Sequence, residues 1–424
     1  MIEFVLLIEN LLMPFGAALM VLKFLLSPRR TALKNLWNEL PERFGRPPAS
    51  ELARLAKRPT VWLHCASAGE VNAAAALVAL LADRGLAVVL TTTTAAGRER
   101  ARALHGVAAA WLAPLDCWPA VSRFVRSVDP RALIVVETEL WPHMIALSAL
   151  HGARCAIVNA RLTERAFSRY KLFAAFARPF LGRCELVAAQ TQADAERYRA
   201  LGARYVVVCG NMKHDQVGAG VVSEPTRSVL ETLGWAGCPV LCAGSTHPGE
   251  EDEVVAAFLR AKASHPALKL MIAPRHPERA GDCAETLRRL GVAFDFYSHA
   301  RPGLDAVVVD RLGLLGQLYS LATVAFVGGT LVPVGGHNVL EPALAGVPVL
   351  FGPHHEHAAE AAHLLESAGA GFCAADGPRL AQLLSELLAD APRARAIGDL
   401  ARRTAAGLQG AADRTIKELS PLLP

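Results

Sequence analysis

The sequence predicts an α/β protein made of two doubly wound parallel-sheet domains facing across a cleft, and three observations carry that prediction. From Thr60 onward, short β-branched runs alternate with longer Ala/Leu-rich stretches, the pattern of repeated βα units. That pattern stops and restarts once, around a Gly- and Pro-bearing stretch at 216–237. The 424 residues suffice for two domains of ordinary size.

Composition narrows the function classes. With 52% hydrophobic and 20% charged residues and no low-complexity tract, the chain is neither disordered nor fibrous. Net charge is +5 and no basic run is interleaved with aromatics, which argues against a nucleic-acid partner. Nine cysteines, an odd number, are scattered through apolar runs such as Val207-Val208-Cys209 and read as reduced core residues of a cytosolic protein. Cys238 and Cys242 have no second Cys or His pair at matching spacing, so no metal is expected, and no cofactor.

Taken in order, the elements begin with an apolar stretch at 4–26, about 20 residues and long enough to cross a bilayer. Arg29, Arg30 and Lys34 follow it, the wrong order for a cleaved signal peptide and the right one for an anchor that leaves the rest in the cytoplasm. Glu9, Asn10 and Pro14 interrupt the run, and the alternative is a buried helix. Residues 1–28 are thus read as a membrane anchor and 29–215 as a first domain, with strands at 60–65, 87–92, 132–137, 154–159, 185–189 and 205–209. A linker at 216–237 contains Gly218, Gly220, Ser223, Pro225, Gly234 and Gly237. The second domain, 238–424, has strands at 239–243, 268–273, 305–309, 323–327 and 347–351, with its last helix free to pack back on the first domain.

In such sheets ligands bind beyond the carboxyl ends of the strands, and those positions are polar here. The first strand is followed by Ala66-Ser67-Ala68-Gly69-Glu70 and a strong helix. Ser67 and Glu70 have capping-box spacing, while Glu70 at the positive end of a helix is also placed to take a proton from a hydroxyl. The strand at 132–137 delivers Glu137, with Glu139 close behind, and two acids at an apolar strand mouth point to a site rather than to packing. Gly210-Asn211-Met212-Lys213 puts a point cation after another strand, its plain alternative being a surface lysine.

In the second half, Gly244-Ser245-Thr246-His247-Pro248-Gly249-Glu250 reads as a helix start with capping hydroxyls and N–H groups open to an anion. Arg275 and His276 follow the strand at 268–273 and suit a phosphate, unless the arginine pairs with a surface acid. Leu312, Gly313 and Leu314 offer backbone groups to a planar base. After Gly328 and Gly329, Asn338-Val339-Leu340-Glu341 opens a helix with Glu341 placed to accept from ribose hydroxyls, although N-x-x-E is also a cap signature. There is no P-loop, and no G-x-G-x-x-G follows the first strand.

Together these segments (CASAGE, ETELWP, VNARLTER, AAQTQAD, GNMKHD, GSTHPGEE, APRHPER, and FVGGT followed by GGHNVLEPALAGVPVLFGPH) resemble the Kdo transferases, bacterial enzymes that add 3-deoxy-D-manno-octulosonic acid to the lipid A precursor. The resemblance implies the GT-B architecture, two Rossmann-like domains across a cleft, with CMP-Kdo as donor, no metal, and work at the cytoplasmic face of the inner membrane. It implies Glu70 as proton acceptor, Glu137 and Lys213 as transition-state stabilisers, and CMP held by Arg275, His276, Leu312, Gly313, Leu314, Asn338, Val339, Leu340 and Glu341. His214 departs from the family pattern, which tends to have an aromatic after the lysine; a His214 that touches the sugar would bear on donor preference. A donor with a single phosphate needs only cations and helix N-termini to stabilise its leaving group, which agrees with the missing metal motif. The competing readings are a sugar-nucleotide epimerase of the same architecture and a tethered nucleotide-binding module without turnover.

Overall fold

The computed structural model describes residues 31–55, 58–137, 140–172, 174–216 and 229–424. The apolar segment 4–26, read as an anchor, lies outside them, as do residues 217–228 of the segment read as a linker. Among the described residues no helix is long and apolar enough to cross a membrane. The chain divides into two compact units, one running to Gln216 and completed by Gln409–Pro424, the other ending at Leu408.

The first unit holds β1 (Thr60–His64), β2 (Ala87–Thr92), β3 (Val107–Leu112), β4 (Ala132–Val136), β5 (Arg154–Ala160), β6 (Cys184–Ala189) and β7 (Val206–Val208), all parallel, in the order β3-β2-β1-β4-β5-β6-β7. The chain moves outward from β1 to β3 and then returns to lay β4 beside β1. Neighbouring strand ends therefore diverge at β1 and β4, and a crevice opens there. Strand residues alternate between two apolar layers: Trp62, Val89 and Val135 face one, Val61, Leu63 and Ile134 the other. A sheet covered on both faces needs strands apolar throughout, which is why β1, β2 and β4 are buried at every position.

The last helix, Ala411–Leu419, completes this unit. Asp215 accepts from the Gly410, Ala411 and Ala412 amides at 2.7, 3.2 and 2.6 Å and so satisfies the start of that helix. Ala411, Ala412, Ile416 and Leu419 then join the second apolar layer.

The second unit repeats the plan with β8 (Val240–Thr246), β9 (Lys269–Pro274), β10 (Phe294–Phe296), β11 (Ala306–Val308), β12 (Val324–Val327), β13 (Val349–Phe351) and β14 (Gly371–Cys373), ordered β10-β11-β9-β8-β12-β13-β14. All its pairings are parallel, and its switch point lies between β8 and β12. Leu233 and Trp235, near the end of the segment read as a linker, are buried in this unit's core, and Trp235 Nε1 donates to Leu304 O at 2.9 Å.

Three strands escaped the sequence reading: β3, β10 and β14. Each is a sheet edge. β3 is built on three alanines rather than β-branched residues, and β10 and β14 are only three residues long.

Candidate active site

In the first unit, Ser67 caps the helix Ala68–Ala73. The Glu70 amide donates to Ser67 Oγ at 3.4 Å, Ser67 Oγ donates to Glu70 Oε1 at 3.1 Å, and the Ala66 amide donates to Glu70 Oε2 at 2.7 Å. Ser67 and Glu70 are therefore bonded reciprocally as a cap, with the carboxylate reaching the amide one residue before the cap, and this orients it. A carboxylate offers about four acceptor positions, so capping and proton acceptance are compatible roles. Glu70 stays partly exposed.

Glu137 follows β4 with φ 70°, in the left-handed region that a glutamate rarely adopts. Such a conformation costs on the order of 1–3 kcal/mol and persists where the surroundings enforce it. Here the Glu137 amide donates to Val158 O at 2.9 Å, and Lys213 Nζ lies 2.8 Å from Glu137 Oε1. Asn159, also left-handed at φ 50°, approaches the same Oε1 with Nδ2 at 3.5 Å while its Oδ1 accepts from the Met212 amide at 2.9 Å. One asparagine thus ties the end of β5 to Glu137 and to Met212, the residue before Lys213.

Cys65 stands beside these acids. Burial first, and then the charges of Glu70 and Glu137, push its thiol well above the usual range. Both carboxylates therefore share the β1–β4 crevice. His64, one residue earlier, is fully buried; its Nδ1 lies 2.9 Å from Thr91 Oγ1, its ring packs edge-on to Trp141, and burial pushes it down to about 3. His214 is lowered by burial and is held beside Lys213 by its backbone carbonyl, which accepts from Gln409 at 3.3 Å.

In the second unit the loop after β8 departs from the expected helix start. Ser245 and Thr246 belong to β8, whose register shifts at this point with Ser245 at φ 59°, and the helix Glu251–Ser264 begins later. Of the stretch expected to offer amides to an outside anion, the His247 amide is taken by Glu250, which is fully buried and also gathers two amides from the segment after β12. Its Oε1 accepts from Gly329 at 2.6 Å and His247 at 2.8 Å, and its Oε2 accepts from Leu331 at 3.2 Å. Burial raises Glu250 and these amides oppose the rise. At Gly328 a Cβ would lie 2.4 Å from Ser245 O, so only glycine lets the β12 exit pass the β8 exit.

Arg275 and His276 follow β9 and are exposed. The Arg275 charge reaches His247, His337 and Glu341, where it opposes the rise that burial imposes on the Glu341 carboxyl. Asn338 Oδ1 accepts from the Leu340 amide at 3.0 Å just before the helix Leu340–Leu344, whose cap residue Val339 makes no side-chain cap bond, and the Glu341 carboxyl feels the Arg275 charge. Val339 and Leu340 are buried behind them. Gly313 takes φ 81°, Leu314 packs on the core, and Leu312 is 73% exposed, an apolar ledge just past β11, next to β9 in the sheet.

The comparisons with known proteins add to this geometry. The family model described as 3-Deoxy-D-manno-octulosonic-acid transferase (kdotransferase) matches residues 38–216. A 3-deoxy-D-manno-octulosonic acid transferase of Bordetella pertussis is 34% identical over 400 residues, which cover 90% of this chain and 91% of that one. The chain belongs to the Kdo transferase family. Membership sets aside the epimerase reading. Two solved structures, a glycosyltransferase from Rickettsia africae and a UDP-GlcNAc 2-epimerase from Neisseria meningitidis, each give a TM-score of 0.57 at 12% and 13% identity. They cover 86% and 85% of this chain and 99% and 100% of their own, and they share its fold.

Within this Kdo transferase, Glu70, Glu137 and Lys213 come together at one switch point, and Arg275, His276 and Glu341 at the other. Sequence reasoning assigned nothing to Asn159, His247 or His337. The first ends an apolar strand, VNA, as Glu137 does, and that parallel was a usable signal. The histidines carried none, because their partnership spans ninety positions.

Proposed function

We propose that this Kdo transferase moves Kdo from CMP-Kdo to a hydroxyl of the lipid A precursor in a single inverting, metal-independent displacement at the cytoplasmic membrane face, as a step of lipopolysaccharide core biosynthesis. The observation that carries this reading is the division of chemistry between the two switch points: carboxylates with one ammonium in the first unit, cations and imidazoles in the second.

Glu70, oriented by its capping box, takes the proton of the acceptor hydroxyl as that oxygen attacks the anomeric carbon. Lys213, fixed against Glu137, stabilises negative charge as it develops. Arg275 and His276 hold the single phosphate of the leaving CMP, Leu312 to Leu314 flank the base, and Glu341 with Asn338 meets the ribose. Residues 4–26 tether the enzyme to the membrane that contains the acceptor; the unit that runs to Gln216 and is completed by Gln409–Pro424 serves as acceptor domain, and the unit that ends at Leu408 serves as donor domain. The test is incubation with CMP-Kdo and lipid A precursor in EDTA, followed by mass analysis and assignment of the anomeric configuration. A product heavier by one or more Kdo residues with inverted configuration is expected; retention, or dependence on added Mg²⁺, refutes the mechanism.

A further inference from the structure

The ammonium of Lys213 sits at the tip of a flexible four-carbon stem, and its side chain is 44% exposed. Where that charge stands in the crevice depends on what fixes the stem at its root and at its head. At the head, Nζ lies 2.8 Å from Glu137 Oε1. At the root, the Met212 amide, one residue earlier, donates to Asn159 Oδ1 at 2.9 Å, and the Lys213 amide donates to Asn211 Oδ1 at 3.0 Å. Asn159 reaches both ends. A backbone amide can only donate, so Oδ1 must face Met212, which turns Nδ2 toward Glu137 Oε1 at a long 3.5 Å. The turn that carries the lysine, Met212–Gln216, is held independently through buried Met212 and through Asp215, which caps the last helix.

The backbone around Asn159 is built to aim this one side chain. Asn159 is buried, and it lies where the pairing of β5 with β6 becomes irregular, between Ile157 and Ala160. Its carbonyl there accepts from Gln190 Nε2 at 3.0 Å, while the Gln190 amide donates to Ala160 O at 2.9 Å. Gln190 thus bridges the irregularity with side chain and main chain together. A bulge of this kind re-aims a residue against its strand. At φ 50° Asn159 holds a conformation that glycine adopts at no steric cost, so what asparagine adds at this position is its carboxamide. Glu137, whose amide donates to the neighbouring Val158 O, is left-handed too, and two such residues therefore meet at one ion pair.

We propose that Asn159 is a positioning residue of the transfer reaction: it fixes Lys213 at root and head at once, and so sets where the ammonium stands as negative charge develops. This rests on the reading of Glu137 and Lys213 as transition-state stabilisers. It also gives a role to VNARLTER and AAQTQAD, two segments whose residues the chemistry above leaves unused. A misplacement of about 1 Å can cost on the order of 10²-fold in rate, so the loss on removing Asn159 falls on turnover and spares donor affinity.

Asn159→Gly keeps the left-handed backbone and removes both side-chain contacts. With folding of the full chain checked by thermal melting, kcat for transfer from CMP-Kdo to lipid A precursor should fall about 10–100-fold, while the KM for CMP-Kdo stays within about twofold. The decisive readout is a double-mutant cycle. In a Lys213→Ala background the same substitution should cost less than about threefold, because the group it positions is gone. Equal losses in the two backgrounds overturn the proposal, since a merely structural asparagine gives that result. Wild-type kcat in Asn159→Gly overturns it as well. Asn159→Asp is the isosteric second variant: it keeps an acceptor for the Met212 amide but offers Lys213 a rival carboxylate, and its loss of kcat should likewise vanish in the Lys213→Ala background. Should Asn159→Gly fail to fold, the Asn159→Asp cycle decides. If Lys213→Ala itself keeps wild-type kcat, the transition-state reading of the pair fails, and the proposal with it; failure of the Asn159 cycles alone leaves that reading standing.

Discussion

The two units share a plan and differ in electrostatics. Each is a seven-stranded parallel sheet with one switch point, β1 against β4 in the first and β8 against β12 in the second. At the first, the partly exposed groups are Glu70 and the Glu137–Lys213 pair. At the second, Arg275, His276, His247 and His337 converge. The acid that orders each loop marks the contrast. Glu70 orders its turn while remaining partly exposed, whereas Glu250 is sealed in and serves only the backbone. The same geometry can thus accept a proton or receive an anion, depending on which charges the loops leave within reach of solvent.

That contrast is broken most severely from the first unit. Glu70→Gln keeps an acceptor for the Ala66 amide but removes the basic group, and transfer is expected to fall about 10²–10⁴-fold, the usual range for a positioned general base. Steady-state kinetics, with CMP binding measured alongside, checks this. Near-normal turnover would reduce Glu70 to a cap. From the second unit, Arg275→Ala should leave the fold intact and weaken CMP binding by about 1.5–3 kcal/mol, the range for a hydrogen bond to a charged group. Unchanged affinity in calorimetry would move the phosphate elsewhere.

A smaller effect separates the two loop-ordering acids. Glu250→Gln puts an amide group where only acceptors fit, since Gly329, His247 and Leu331 all donate to this carboxylate. A loss of about 1–3 kcal/mol in the stability of the second unit is expected, read by hydrogen exchange at the β8 and β12 exits. Glu70→Gln should leave exchange at the β1 exit almost unchanged. Equal losses would show that both acids are structural.

Most of this contrast was legible beforehand because its carriers are strand-end residues in order along the chain. Glu137 was found because an acid ends an apolar run, and Arg275 because it follows one. Glu250 was passed over in favour of open amides, since local spacing cannot show that a carboxylate will fold back on amides contributed from eighty residues away. The His247–His337 contact is illegible for the same reason. The missed strands β3, β10 and β14 are edges, where one missing neighbour relaxes the demand for β-branched residues and length.

The smallest effect concerns a buried histidine at the first mouth and a half-buried one at the second. His64 is fully buried, and Thr91 Oγ1 lies 2.9 Å from its Nδ1 and accepts from Trp62 Nε1 at 2.8 Å. Burial pushes His64 down to about 3, against 6.5 for an ordinary histidine. As pH falls from 6.5 toward 3, the unfolded chain takes up the proton first, so this contribution to stability is complete above the ordinary value and is lost on acidification. The slope is at most ~1.4 kcal/mol per pH unit. His64→Gln retains a polar partner for Thr91 but cannot titrate, so its acid slope should be shallower by up to that amount, read by denaturant unfolding of the first unit at several pH values. His337→Gln should act over a narrower window, because His337 is lowered only to about 4. A wild-type slope equal to that of His64→Gln would mean that His64 protonates as readily in the native chain as in the unfolded one, and that the β1 mouth does not exclude water from it.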